Sequence, residues 1–273
     1  MSARRTFEVI AFDGDDTLWH NERGYRESRD RFRAILADAD IALDDAALEA
    51  AINDVEMRNL AFYGYGVPSF VLSLIEAAIG LSDGGITGRH IDEIIELARR
   101  MITADVELFP GVLPTVRALS REYPLMLITK GDLLHQRSKL SRSGLERHFR
   151  FVEVVSHKTP EVYEAILVRH GIEPSRFLMV GNSMRSDVLP VVEVGGWAVH
   201  VPAALTWSHE HAHPSDAARH RFFERASLDG LAPFVRALAM RLKRTHVKVR
   251  GKRTPKTIPR RVSRRPIGRR RSP

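Results

Sequence analysis

Two carboxylates stand two residues apart where a short apolar run gives out, in Asp13-Gly14-Asp15-Asp16-Thr17. At the end of a strand, side chains so spaced can converge on one small volume. Neighbouring anions repel unless a cation or a proton compensates. A hard divalent cation held by oxygen ligands is the natural compensation, and magnesium is the usual one where phosphate is handled. Taken alone, the pattern is also compatible with a solvated acidic turn. Three further clusters weigh against that. Thr129 closes a second apolar run and is followed by Lys130 and Gly131, a small hydroxyl and a flexible turn suited to gripping a phosphate oxygen. Lys158, in His157-Lys158-Thr159-Pro160, follows a third run, and its ammonium can neutralise developing charge. A fourth run ends in Gly181-Asn182-Ser183, with Asp187 a few residues on.

The elements that must position these groups are legible as periodicity. Residues 7–12, 125–129, 151–155, 177–181 and 197–201 are strand-length and nearly continuous in apolar character, which suits parallel strands buried on both faces. Helical patterns separate the later ones: Val112, Val116 and Leu119 share a face, as do Val162, Ala165 and Ile166. Strands alternating with helices imply right-handed crossovers and an open sheet, so all four polar clusters meet at one carboxyl-end rim. The expected fold is therefore α/β, a doubly wound Rossmann-like parallel sheet. Between the first two strands lies a long helical insertion, with Phe32, Ile35 and Leu36, then Ile91, Ile94, Ile95 and Ala98, at helical spacing, and a break at residues 80–88. The predicted organisation is a discontinuous core (1–19 and 106–240), a helical cap (20–105) and a basic tail (241–273).

Composition bounds the rest. The 273 residues are 44% hydrophobic and 28% charged, ordinary for a soluble globular protein. With no cysteine, disulfides, zinc ribbons and thiol catalysis are excluded. No apolar stretch approaches the roughly 20 residues that span a bilayer, and the first residues lack the apolar run of a secretory signal; a cytoplasmic location is the expectation. The net charge of +8 belongs to the tail: residues 241–273 hold 15 Lys/Arg and no Asp/Glu, leaving 27 basic against 34 acidic residues before them. Rich in Pro, Gly and Arg, that tail buries too little to offset its ordering entropy, so disorder is expected. Its charge suits nonspecific contact with nucleic acid or another polyanion, without the aromatics that stack bases.

The ordered set Asp13-x-Asp15-x-Thr17, strand-ending Thr129, Lys158-x-Pro160 and Gly181-Asn182-Ser183 with Asp187 resembles the haloacid dehalogenase superfamily, in its phosphatase branch with a helical cap inserted after the first motif. The stretch Leu108-Phe109-Pro110-Gly111-Val112 and Tyr163 match as well, and the resemblance covers about residues 7–238. It implies Asp13 as nucleophile, Asp15 as general acid and then base with its backbone carbonyl on magnesium, Thr129 and Lys158 on the phosphoryl group, and Asp187 in the metal site. Asn182 stands where many relatives have a metal-binding aspartate, which takes one negative charge from the site. Dehalogenases of the superfamily lack the second aspartate and use no metal. The function so implied is a magnesium-dependent phosphomonoester phosphatase acting on a small metabolite. Two alternatives stand beside it: a phosphatase for nucleotides or nucleic-acid ends tethered by the tail, and a non-catalytic polyanion-binding protein on the same scaffold. Among weaker signals, His209, His211 and His213 alternate as metal ligands or merely as a polar loop. His20 and His157 flank the motifs, and Tyr63-Gly64-Tyr65-Gly66 suits a cap loop that closes over the site.

Overall fold

The computed structural model describes residues 5–205, 207, 210, 212–213 and 218–251. Six parallel strands form one sheet: β1 (Val9–Phe12), β2 (Leu125–Lys130), β3 (Phe149–Val155), β4 (Phe177–Gly181), β5 (Trp197–His200) and β6 (Phe222–Glu224), in the spatial order β3-β2-β1-β4-β5-β6. Successive side chains leave a strand on opposite faces, so each strand supplies two cores. Ile10, Phe12, Leu125, Leu127 and Val180 pack against α5 (Val112–Ser120) and α9 (Leu231–Gly251). Val9, Ala11, Met126, Ile128 and Met179 pack against α7 (Pro160–His170) and α8 (Leu189–Glu193). Covered on both sides, the strands have no polar face to show, hence their continuous apolar runs. β6 escapes the sequence reading because three residues, Phe222-Phe223-Glu224, carry no period.

The helical layer comprises α1 (Glu22–Asp38), α2 (Asp45–Tyr63), α3 (Val67–Leu81) and α4 (Gly88–Thr103) around a core of its own, with Phe32, Leu36, Leu48, Ile52, Leu74 and Ile94 buried. A fully buried side chain of this kind contributes about 1.5–3 kcal/mol to holding the four together. In α4 the buried residues are His90, Ile94 and Leu97, while Ile95 of the expected stripe is exposed. Two connections join this layer to the sheet and pair with each other: His20 N–H donates to Glu107 O (3.0 Å), and Phe109 N–H to Leu18 O (3.0 Å). Asp16, in left-handed backbone at φ 57°, accepts from the N–H groups of Asn21 (3.0 Å) and Glu22 (3.1 Å), so the turn beside the first motif also caps α1.

The last helix continues to Gly251, so the boundary expected at residue 241 falls inside it. Nothing in residues 244–250 breaks a helix; the first glycine is Gly251 and the first proline beyond it is Pro255. Residues 252–273, with the disorder and polyanion contacts expected of them, lie outside the described residues. Among the described residues, no helix is long and apolar enough to cross a membrane.

Candidate active site

Asp13 leaves the carboxyl end of β1 between two strands that run on past it. Phe12 pairs with Leu127 and with Val180, so β2 still has Ile128, Thr129 and Lys130 to come, and β4 has Gly181. The chain passes from β1 to β2 on one side and returns from β3 to β4 on the other, making this the switch point where open sheets bind ligands. The Asp13 carboxylate is buried and both its oxygens are engaged. Oδ1 accepts from Lys158 Nζ (2.5 Å) and Oδ2 from Thr17 Oγ1 (2.9 Å). The same ammonium donates to Asp187 Oδ1 (2.7 Å), whose Oδ2 accepts from Ser183 N–H (3.0 Å). Gly181 permits this, because a Cβ there would lie 2.3 Å from Asp187. One ammonium thus serves two buried carboxylates. Burial pushes the Asp13 carboxyl up to about 7; Lys158 opposes this, and Asp187 adds to it. Burial works to lower the Lys158 pKa, and Asp13 and Asp187 together overcome it and hold that pKa above the ordinary value. The Asn182 amide lies 3.1 Å from Thr17 Oγ1 and 3.3 Å from both Asp13 Oδ2 and Asp15 O, where its NH2 group donates to all three.

Asp15 occupies a clamp of its own. Oδ1 accepts from Lys139 Nζ (2.5 Å) and Trp19 Nε1 (2.6 Å), and Oδ2 from Gln136 Nε2 (2.8 Å). Burial would raise its pKa, but Lys139, joined by the hydrogen bonds from Gln136 and Trp19, holds the carboxyl below its usual range. Gln136 and Lys139 stand three apart on α6 (Leu133–Arg142), a helix capped by Asp132, whose carboxylate accepts from His135 N–H (2.8 Å). Thr129 is wholly buried and lines the same cavity as Asp13 and Asp15. Lys130 follows it in β2, so its side chain leaves on the opposite face. Its ammonium is paired with Glu210, lies 3.1 Å from Ser186 Oγ and faces the Tyr65 ring at 4.4 Å. Glu210 also accepts from Ser183 Oγ (2.5 Å) and Ser186 Oγ (2.6 Å); burial opposes its ionisation, yet Lys130 and these serines hold its carboxyl at about 2.

The cap completes the enclosure. Tyr65 sits between Gly64 and Gly66, and Gly66 brings its backbone so near the core that an added Cβ would lie 3.0 Å from Asp132 N. Tyr65 meets His157 and Trp207 edge to face, with centroids 5.7 and 6.1 Å apart. Tyr63, two residues away, points to solvent instead. The cavity so formed, of about 150 Å³, runs from Asp13 and Lys158 into the cap. His20 packs at a tilt against Phe109 (centroids 3.9 Å apart) at the connection between the layers. His209 and His211 lie outside the described residues, and among those described no group of three His, Cys, Asp or Glu is gathered to hold a metal ion.

A model of haloacid dehalogenase-like hydrolases matches residues 7–195. The chain belongs to that family. A haloacid dehalogenase-like family hydrolase from Xanthomonas campestris is 38% identical, covering 88% of this chain and 95% of its own, with a TM-score of 0.77. Two more distant structures share the fold: the HAD-hydrolase YfnB of Bacillus subtilis bound to magnesium (17% identity, 85% and 100% coverage, TM-score 0.61) and a 2-haloacid dehalogenase from Pseudomonas syringae pv. Tomato (21%, 85% and 98%, 0.59). Among curated proteins, none is similar to the chain. In this haloacid dehalogenase-like hydrolase the structure gathers Asp13, Asp15, Thr129, Lys130, Lys158, Asn182 and Asp187 around one cavity. Sequence reasoning missed Gln136, Lys139 and Glu210. The first two share a helix face just after Thr129, a signal that was available; nothing local marks Glu210.

Proposed function

We propose that the chain is a magnesium-dependent phosphomonoester phosphatase that turns over through an aspartyl-phosphate on Asp13. The observation that carries this reading is Asp15, a second carboxylate in the nucleophile's cavity with a cation of its own. Asp13 attacks phosphorus through a carboxylate oxygen while the bond to the leaving oxygen breaks and Asp15 gives that oxygen a proton. Asp15, now anionic, takes a proton from water; the water oxygen attacks phosphorus, and phosphate departs with Asp13 restored. Lys158 and the Thr129 hydroxyl serve the oxygens over which charge spreads in each step. The Lys139 clamp keeps Asp15 ionised, the state the second step needs. For the first, Asp15 must arrive protonated, so substrate entry has to loosen the clamp.

The residues present suit a hard cation. Asp13 and Asp187 share a single lysine, which leaves one negative charge over, and the Asn182 amide and the Asp15 carbonyl reach the same point. Asp13, Asp187 and the Asp15 carbonyl would hold the ion, with the Asn182 amide turned over so that its oxygen takes the place of the NH2 group, as oxygen donors hold magnesium. When bound, it neutralises charge on the phosphoryl oxygens. The magnesium-bound Bacillus subtilis structure supports the assignment at the level of the fold. With an amide at position 182, affinity for the ion should be lower than a third carboxylate would give.

The test is phosphate release from a panel of phosphomonoesters with and without magnesium, for the wild type and Asp13→Asn. Release that needs the ion and vanishes in the variant is the expected result. Chloride release from 2-chloropropionate without magnesium, and no phosphate from any ester, would make the chain a dehalogenase instead.

A further inference from the structure

The cap-side wall of the cavity carries more negative than positive charge. Among the described residues, Arg29 of α1 is the one cation on that wall, nine-tenths buried. Its guanidinium is 3.3 Å from Glu22, 3.2 Å from Glu56 and 3.7 Å from Glu49. Glu22 and Glu56 line the cavity, while Glu49 stands behind with half its side chain in solvent. Burial raises the pKa of both lining glutamates against the pull of Arg29, the cost of holding excess like charge away from water. A positive group entering the cavity would relieve that cost. A negative one would meet Arg29 only in the company of its three carboxylates.

The remaining surface suits the same guest. Tyr25 and Phe70 meet edge to face (4.9 Å) on this wall, and Tyr65 and Trp207 do so beside Lys130. Two of these rings already face cations, Phe70 the Arg29 guanidinium (5.4 Å) and Tyr65 the Lys130 ammonium (4.4 Å). Aromatic faces beside carboxylates are the surroundings in which ammonium groups are recognised. A volume of about 150 Å³ suits a small alcohol; a cavity of that order holds a benzene-sized guest.

We propose that the site takes phosphomonoesters of small amino alcohols, the ammonium seated among Glu22, Glu56 and the aromatic rings while the phosphoryl group meets Asp13. This rests on the phosphatase reading above and names its leaving group: the protonated amino alcohol departs with the proton from Asp15. The test compares kcat/KM for phosphoethanolamine, phosphocholine, glycerol 1-phosphate and 2-phosphoglycolate, which carry cationic, neutral and anionic leaving groups, with acetyl phosphate as a small activated control. Phosphoethanolamine should exceed glycerol 1-phosphate at least ~10-fold, the ratio one well-placed ion contact or cation–π contact gives, and 2-phosphoglycolate should be slowest. Glu56→Gln should bring the cationic-to-neutral ratio toward unity. Should that variant fail to fold, inhibition of the wild type by ethanolamine but not by ethylene glycol reads the same contact. Preference for glycerol 1-phosphate overturns the inference, and preference for 2-phosphoglycolate does so by giving Arg29 to a substrate carboxylate. Asp13-dependent turnover of acetyl phosphate with none of the four esters overturns the inference alone; no release even from acetyl phosphate overturns the phosphatase reading with it.

Discussion

Removing Asp187 should make the metal-free protein more stable, although it weakens the site. Lys158 gives one ammonium to two buried carboxylates, 2.5 Å from Asp13 and 2.7 Å from Asp187. Asp187→Asn keeps the shape and still offers Lys158 an oxygen, but it takes away the carboxylate that adds to the rise of the Asp13 pKa to about 7. The linkage fixes the sign. With its folded pKa raised, Asp13 keeps its proton longer in the native state, so metal-free stability declines as pH climbs from about 4 through about 7 and is flat above. The variant shortens that decline. Burial is the larger cause and stays, so the expected gain is modest, ~1 kcal/mol, the size of an ordinary single substitution. For a chain of this length that is about 2–4 °C in Tm. Calorimetry with a chelator at pH 8 should show the gain, and at pH 4 it should vanish. With magnesium in excess the order should reverse, because the wild type alone keeps both carboxylates for the ion. An unchanged or lower Tm in the chelated variant at pH 8 would refute the shared-lysine argument.

The other expectations concern single contacts. Gly181→Ala would place its Cβ 2.3 Å from Asp187, so phosphate release should fall at least ~100-fold (about 2.7 kcal/mol) while far-ultraviolet circular dichroism keeps its native form. In Lys139→Met, Asp15 loses the cation that holds its pKa down, and because Asp15 must be protonated in the first step, the alkaline limb of the kcat/KM profile should move to higher pH; a profile that only scales down in height would show the lysine to be structural. His135 is held neutral, its pKa pushed to about 4 by burial and then by Lys139. Its contribution is complete above the unfolded value of 6.5 and is lost as pH falls toward 4, so urea midpoints should drop between pH 7 and pH 5, and by less in His135→Gln.

Much of the site was legible because parallel topology does the assembling. When every strand runs the same way, whatever follows a strand lands on one rim, so Asp13, Thr129, Lys158 and Asn182 could be grouped from strand ends alone. Lys130 shows where that logic stops. Adjacency to Thr129 suggested a second phosphate contact; Lys130 does line the cavity with Thr129, but that its ammonium is engaged by Glu210 and Tyr65 is something strand ends do not reveal. Tyr65 itself was readable as part of a glycine-flanked cap loop, but that it and not Tyr63 enters the site depends on how α2 ends at Gly64.

The sheet, the inserted helices and the order of the polar clusters follow from local pattern, since apolar period and turn residues act over a few positions. The pairing of charges does not. Lys139 reaches Asp15 across 124 positions of chain and Lys130 reaches Glu210 across 80, and in sequence each is an ordinary polar residue. Arg29 and its three glutamates occupy helices of unremarkable composition and become a buried cluster only when α1 packs beside α2 against the cavity. Burial, which decides what a charge costs and therefore which partner it must have, belongs to the assembled core and to no segment of it.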